Sequence, residues 1–271
     1  MSQIQFQKLS FNIEQACLLS KVSGQFESGQ IHAIVGQNGA GKSTLLRCLT
    51  KEWQASSGQI EFSGKLLTQL SFAELALQRA VLSQHQDLAF SFTVEQLVSL
   101  GFEARQRAFS EQQLVAVLEA MDITHLKQRD VLSLSGGEQK RAQLARVVAQ
   151  IWPEDRKDQD EHSYSDVFSG KWLFLDEWSE ALDLKHQVHI GALLKQWAKQ
   201  GLGVVMVSHD LNQVIQLTDT CLLLKAGKLV VQGATCEVMS AENLTQVLDI
   251  PVTVLPNQAG YSLVMPENFN R

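Results

Sequence analysis

The sequence predicts an α/β fold with a mostly parallel sheet and an inserted helical lobe. Short apolar runs at Ile31 to Val35, Trp172 to Leu175, Val204 to Val207 and Cys221 to Leu224 are the first observation. Strands that are apolar on both faces and rich in branched residues belong to parallel sheets buried between helices. Second, Gly-rich or polar turns and helical stretches follow the first three runs, and this alternation is how helices come to cover such a sheet. Third, residues 85 to 150 read differently: Val94 to Leu100, Glu111 to Met121 and Gln139 to Ile151 carry helical patterns, with no clear strand among them.

The length of 271 residues fits one large α/β domain, or a core with a smaller lobe inserted. Hydrophobic residues make up 45% of the chain and charged residues 19%, against about 25% charged in an average soluble domain. A surface short of charge suits a subunit partly covered by partners, and equally a somewhat apolar cytosolic domain. The net charge of −6, with no basic run, argues against a nucleic-acid partner. Cys17, Cys48, Cys221 and Cys236 form no CxxC pair, so neither zinc nor redox chemistry is indicated. Cys48 and Cys221 read as core thiols in a reducing compartment. The start, Met1 to Phe6, lacks the basic and apolar regions of a signal peptide. No apolar run approaches the roughly 20 residues that span a bilayer, so the expectation is a soluble protein, or one peripheral through other proteins. Pro153 to Gly170 carries Glu154, Asp155, Arg156, Lys157, Asp158, Asp160 and Glu161 and reads as a solvated surface loop.

Gly36-Gln37-Asn38-Gly39-Ala40-Gly41-Lys42-Ser43-Thr44 contains G-x-x-x-x-G-K-[ST] between an apolar strand and a helical stretch, Ser43 to Leu49. That is the context a phosphate-cradling loop requires. Its glycines let backbone N–H groups turn inward around an anion, and the helix N-terminus adds partial positive charge. Lys42 is placed to reach β and γ phosphates, and the Ser43 hydroxyl to bind Mg²⁺.

Trp172-Leu173-Phe174-Leu175-Asp176-Glu177 is an apolar strand ending in two acids. At a strand's C-terminal end they face the crevice where open α/β folds bind ligands. Asp176 suits a Mg²⁺ held through water, and Glu177 suits the general base that polarises attacking water. Leu134-Ser135-Gly136-Gly137-Glu138-Gln139 opens a further helix, with Ser135 and Glu138 at capping-box spacing. Two glycines beside the cap leave backbone bare for a second anion site.

LSGGEQ downstream of a phosphate loop, followed by a strand ending in Asp-Glu, resembles the ATP-binding-cassette superfamily over nearly the whole chain. The resemblance implies a P-loop NTPase (RecA-like) core at 1–84 and 171–235. A helical signature subdomain would span 85–152, with a variable surface loop at 153–170 and a C-terminal extension at 236–271. It implies ATP and Mg²⁺ as cofactors. Gln84 matches the glutamine that contacts metal and water, Ala181-Leu182-Asp183 the D-loop, and His209 the switch histidine on the γ-phosphate. It further implies a homodimer sandwiching two ATP molecules, with Ser135, Gly136 and Gly137 acting across the seam.

A single stand-alone cassette fits an importer subunit that docks on two transmembrane permease subunits. It would serve a periplasmic substrate-binding protein indirectly, from the cytoplasmic face of the inner membrane. The segment near Gln84 to Gly101 is where such subunits receive the permease. Gln84 to Val94, Leu144 to Trp152, Leu182 to Gln187 and Ile250 to Leu255 are similar to haemin-import ATPases. Vitamin B12 and ferric-siderophore importers share much of this. Trp178, Ser179 and Glu180 depart from the family's usual Pro, Thr or Ser, and Ser. Trp178 removes a rigid φ, and Glu180 adds negative charge near the seam. Gln37 replaces a common Pro, and Lys51 a common Gly. Two other readings stay open: a soluble cassette ATPase acting on nucleic acid, and a regulatory cassette that binds ATP without hydrolysing it.

His186 and His189, three apart on a helix, read as a packed or solvated face rather than a metal site. Phe6 and Phe11 read as edge-strand core, with Phe11 also the candidate to stack on adenine.

Overall fold

The computed structural model describes residues 2–84, 90–105, 108–154, 166–256 and 262–266. The chain opens with β1 (Gln3–Ile13), β2 (Ala16–Glu27) and β3 (Ile31–Gly36), then helix α1 (Lys42–Leu49). Next come β4 (Ser57–Phe62), β5 (Lys65–Leu66), α2 (Phe72–Ala76) and β6 (Arg79–Leu82). A helical stretch follows: α3 (Val94–Glu103), α4 (Glu111–Ala120) and α5 (Gly136–Ile151). The chain returns to the sheet through β7 (Trp172–Asp176), α6 (Leu184–Lys199), β8 (Gly203–Val207), α7 (Leu211–Leu217), β9 (Thr220–Lys225) and β10 (Lys228–Ala234). Helices α8 (Thr235–Val238) and α9 (Ala241–Leu248) lead to an antiparallel pair, β11 (Val252–Pro256) and β12 (Ser262–Pro266).

The central sheet has six strands in the order β10-β9-β3-β8-β7-β6. Every pair from β9 to β6 is parallel, and β10 joins the edge antiparallel. Its strands are continuously apolar because successive side chains enter two different cores. Ile31, Ala33, Val35, Leu173, Leu175, Val204, Met206, Cys221 and Leu223 pack on the side of α5 and α6. Ile34, Trp172, Phe174, Val205, Val207, Leu222 and Leu224 pack on the side of α1. Burial on both faces is what the period of two demands of a fully covered strand. The same burial pushes the thiols of Cys48 and Cys221 up to about 12.

A second sheet, β2-β1-β4-β5, is antiparallel and closes the α1 side. Only one of its faces is buried, so β1 alternates: Ile4 and Phe6 point inward, and polar residues lie between them. At Lys8, with φ of 49°, the register shifts and Leu9 re-enters the core. Such a bulge bends the strand so that it can wrap the helix.

The helical stretch is fixed at its starts by capping boxes, Thr93 with Gln96 and Ser110 with Gln113. Each side-chain oxygen there accepts from an orphan backbone N–H of the first turn. The charge-rich segment after α5 ends differently from the solvated loop that its composition suggests. Residues 155–165 lie outside the described ones, but Phe168 is buried against Trp152 and Trp197. Phe6 is core as expected. Phe11 stacks on Trp53 at 5.1 Å between ring centroids and packs partly against the α1-side core.

Candidate nucleotide site

The C-terminal edge of the parallel sheet gathers four segments. Gly36 ends β3, Asp176 ends β7, Ser208 and His209 follow β8, and Gln84 follows β6. Loops at this edge are where open α/β sheets hold ligands. A cleft of about 800 Å³ here is lined by Leu18, Asn38, Gly39, Gly41, Lys42, Ser43, Thr44, Gln84, Glu177, Glu180 and His209.

The phosphate loop is shaped by its backbone. Gly41 caps α1 at φ 97°, and a Cβ there would stand 2.7 Å from the Leu18 carbonyl oxygen. A side chain is therefore excluded both by conformation and by space. Ala40 N–H donates to the Gln37 carbonyl at 3.1 Å, and Gly227 N–H to the Ala40 carbonyl at 3.1 Å, holding the loop to the strand β9–β10 turn. The Gln37 amide donates to the Leu248 carbonyl in α9. Lys42 Nζ donates to the carbonyls of Gly36 and Gln37, both at 2.9 Å. Burial lowers the Lys42 pKa from its ordinary value, and the charges of Glu177 and Asp176 oppose that shift.

Asp176 and Glu177 sit in different surroundings. Burial raises the Asp176 carboxyl above its ordinary range, against the hydrogen bond from Ser43 and the charges of Arg47 and Lys42. Its Oδ1 is buried without a hydrogen-bond partner. Buried polar atoms are rarely left unpaired. A hard cation beside Ser43 and Asp176 satisfies that oxygen, so the donor set fits Mg²⁺. Glu177 has both oxygens engaged: Gln84 Nε2 donates to Oε2, and His209 Nε2 pairs with Oε1. Burial alone would raise the Glu177 carboxyl. The hydrogen bond from Glu180, His209 and the charge of Lys42 together hold it below the usual range. The Glu180 carboxyl is raised above its ordinary range, first by its hydrogen bond to Glu177.

The predicted residues do not all meet in one place. Gly36 and Gln37 line a neighbouring hollow with Ser208 and Leu248. Ala40 is buried beneath the loop. Ser135, Gly136 and Gly137 stand apart at the start of α5, where Ser135 is occupied as a cap with Glu138. There Gly137 faces the turn after Glu177: a Cβ on it would lie 2.9 Å from the Ala181 carbonyl oxygen. Sequence reasoning did not place Leu18 at the site, where it lines the cleft.

Trp178 is a buried member of the α5-side core, and its indole N–H has no partner. It sits in a turn with Glu177 at φ 51° and Ala181 at φ 65°. His186 joins Asp183 at 2.8 Å and Asp122 at 3.3 Å, and His189 contacts the Ala120 carbonyl at 2.8 Å. No metal-holding cluster of His, Cys, Asp and Glu occurs among the described residues. No helix among them is long and apolar enough to cross a membrane.

This sheet, loop and cleft define a P-loop ATPase. The family model described as "ABC transporter" matches residues 19–151. The hemin import ATP-binding protein HmuV of Escherichia coli O157:H7 is 36% identical over 260 residues, covering 96% of this chain and 97% of the relative. HmuV of Hydrogenovibrio crunogenus is 38% identical over 251 residues, covering 92% and 94%. Among solved structures, an inward-facing metal-chelate type ABC transporter superimposes with a TM-score of 0.76 at 24% identity, covering 99% of each chain. A nucleotide-free ATP-binding cassette from an ABC transporter gives 0.72 at 20% identity, covering 93% and 96%. These two likenesses speak to the fold. The chain belongs to the ABC transporter family of ATP-binding subunits, and it is an ATPase.

Proposed function

We propose that the chain powers haemin uptake by hydrolysing ATP as the cytoplasmic subunit of an importer. The observation that carries the hydrolytic part is the placement of Glu177 opposite Lys42 and Ser43 in one cleft, with Gln84 and His209 fixing its two oxygens. The substrate part rests on kinship with relatives named as hemin import subunits at 34–38% identity. Vitamin B12 and ferric siderophores are the alternatives.

In the mechanism, loop N–H groups from Asn38 to Thr44 bind the β and γ phosphates. Lys42 leaves its two carbonyl partners to neutralise charge that develops on the γ-phosphate. Glu177 orients the attacking water and takes its proton, while Gln84 and His209 keep the carboxylate in line. When bound, Mg²⁺ held by Ser43, Asp176 and Gln84 supplies neutralisation of the phosphate oxygens. Ser135, Gly136 and Gly137 act on the nucleotide of a second copy, so two chains share each site. Phe90 is 72% exposed and Leu100 40% exposed on the lobe proposed to receive the permease. The division into a core at 1–84 and 171–235 and a signature lobe at 85–152 belongs to the same reading.

The test is reconstitution with the permease in vesicles and a phosphate-release assay with Mg²⁺. Haemin delivered by its binding protein is expected to stimulate turnover and enter the vesicles. Stimulation by cobalamin or a ferric siderophore, with none by haemin, would move the substrate assignment. Absence of any hydrolysis would overturn the catalytic roles.

A further inference from the structure

Helix α6 carries two histidines that both reach the segment ending α4. His189 Nε2 donates to the Ala120 carbonyl at 2.8 Å. His186 Nε2 meets Asp122 Oδ2 at 3.3 Å, while its Nδ1 meets Asp183 Oδ1 at 2.8 Å. The two partners of His186 lie on different parts of the fold. Asp122, at φ 52°, stands between α4 and α5 in the helical stretch. Asp183 is the N-cap of α6, and its Oδ1 also accepts from the His186 backbone N–H at 2.9 Å.

Each end of this bridge is itself anchored. Arg141 on α5 is buried and donates to the carbonyls of Met121 and Asp122, which fixes the Asp122 turn to that helix. In the first turn of α6, Gln187 Nε2 donates to the carbonyls of Ser179 and Leu182 at 3.2 and 3.0 Å. Those carbonyls belong to the turn that begins at Glu177. The His186 ring therefore stands between the helix that opens at Ser135 and the turn that carries Glu177.

The two histidines differ in what their partners require. A carbonyl accepts from a neutral ring, so His189 needs no charge for its contact. An ionised carboxylate only accepts, so a ring that bonds two of them needs both N–H groups, which is the imidazolium form. Both carboxyls are held below their usual range, Asp122 first by the His186 side chain and Asp183 first by the His186 backbone N–H. Two cations share Asp122 with the ring: Lys185 Nζ of α6 at 3.6 Å and Arg141 Nη1 of α5 at 3.8 Å from its Oδ2. Histidine is the side chain whose charge changes between pH 5 and 8. With one proton, the ring keeps the shorter bond to the cap of its own helix and releases Asp122.

We propose that His186 is a positioning residue, which in its charged form ties the α4–α5 turn to the turn bearing Glu177. One proton makes and breaks the tie, and turnover of ATP falls as rising pH breaks it. The inference rests on the reading of Glu177 as the water-orienting group.

The test has two arms in the full-length chain, using His186→Gln, Asp122→Asn and the double variant. Gln keeps an uncharged donor, and Asn tolerates the positive φ at position 122. Urea unfolding of all four proteins at pH 6 and pH 8 gives the coupling between the two residues. It should be about threefold in the unfolding equilibrium constant at pH 6, the size found for partly exposed charge pairs, and below about 1.5-fold at pH 8. No coupling at pH 6, or equal coupling at both, overturns the bridge. The second arm is kcat for MgATP across the same range. The parent should lose about threefold more than His186→Gln as pH rises, the same coupling read in the rate, and His189→Gln should keep the parent's profile. Parallel profiles in the parent and His186→Gln overturn the positioning role even where coupling is found. Full turnover in Glu177→Gln sinks the role of Glu177 alone, because unfolding still reports the bridge.

Discussion

The phosphate loop and the turn that carries Glu177 stand side by side at one edge of the sheet, yet they are held by opposite means. The loop is fixed by backbone: Gly41 is wedged against Leu18, and Ala40 is bonded on both sides. The acid turn is held by side chains: Gln84, His209 and Glu180 converge on Glu177, and Trp178 anchors the turn in the core. Two of its non-glycine residues, Glu177 and Ala181, adopt left-handed backbone, a conformation that costs roughly 1–2 kcal/mol each. The difference teaches that the binding half is a preformed receptor. The acid turn is a strained set of polar contacts, easier to rearrange than the loop.

The largest way to break this contrast is to remove the anchor. Trp178→Ala should cost about 4 kcal/mol of stability, the range for deleting a buried large aromatic, read by denaturant unfolding. Trp178→Phe keeps an aromatic ring and removes the unpartnered indole N–H, so it should cost clearly less than Trp178→Ala. Equal losses in the two variants would show that the ring is not the anchor.

Glu177→Gln should lower turnover by about 10²–10³-fold with nucleotide binding retained. With saturating ATP, sizing chromatography should find this variant as a closed dimer. A monomer under those conditions would break the two-copy site.

Next in size is acid sensitivity beneath the rigid half. His32 on β3 is buried against Thr220 and the Glu27 carbonyl, and burial lowers its pKa from 6.5 to about 4. The unfolded chain therefore takes up a proton at a higher pH than the folded chain does. Stability from this group is complete above about pH 6.5 and is lost as pH falls through 4. The loss totals on the order of 3 kcal/mol. Unfolding free energies measured between those limits should show this slope in the parent and a flatter one in His32→Gln. The same slope in both would remove His32 as the cause.

The smallest effect sharpens the loop itself. Gly41→Ala should cost about 2 kcal/mol through its positive φ and the clash with Leu18. It should also weaken nucleotide binding in the fluorescence assay. Unchanged binding would mean that the loop relaxes without loss.

How much of this was legible followed burial. Strands β3, β7, β8 and β9 were readable because both faces of each are covered, which leaves continuous apolar runs. The antiparallel sheet was not, because β1 and β2 bury one face and break their alternation at Lys8 and Lys21, both left-handed. The positions of the loop, Asp176, Glu177, Gln84 and His209 at one edge of the sheet were readable because each stands at or just after a strand end. The burial of Lys140 was not, since a lysine in a helix reads as solvated. The burial of Phe168 was hidden for a related reason, because its charge-rich flank masked an aromatic pair partner in Trp152.

Lys42 is bonded in this structure to two carbonyls of its own loop. A ligand must therefore outbid that internal arrangement before the ammonium turns toward it. A lone, singly charged anion offers one weak exchange for two hydrogen bonds, whereas the tail of a triphosphate brings several oxygens and concentrated charge at once. On the proposed reading, the loop would then favour a ligand of high charge density, with Lys42 setting the threshold.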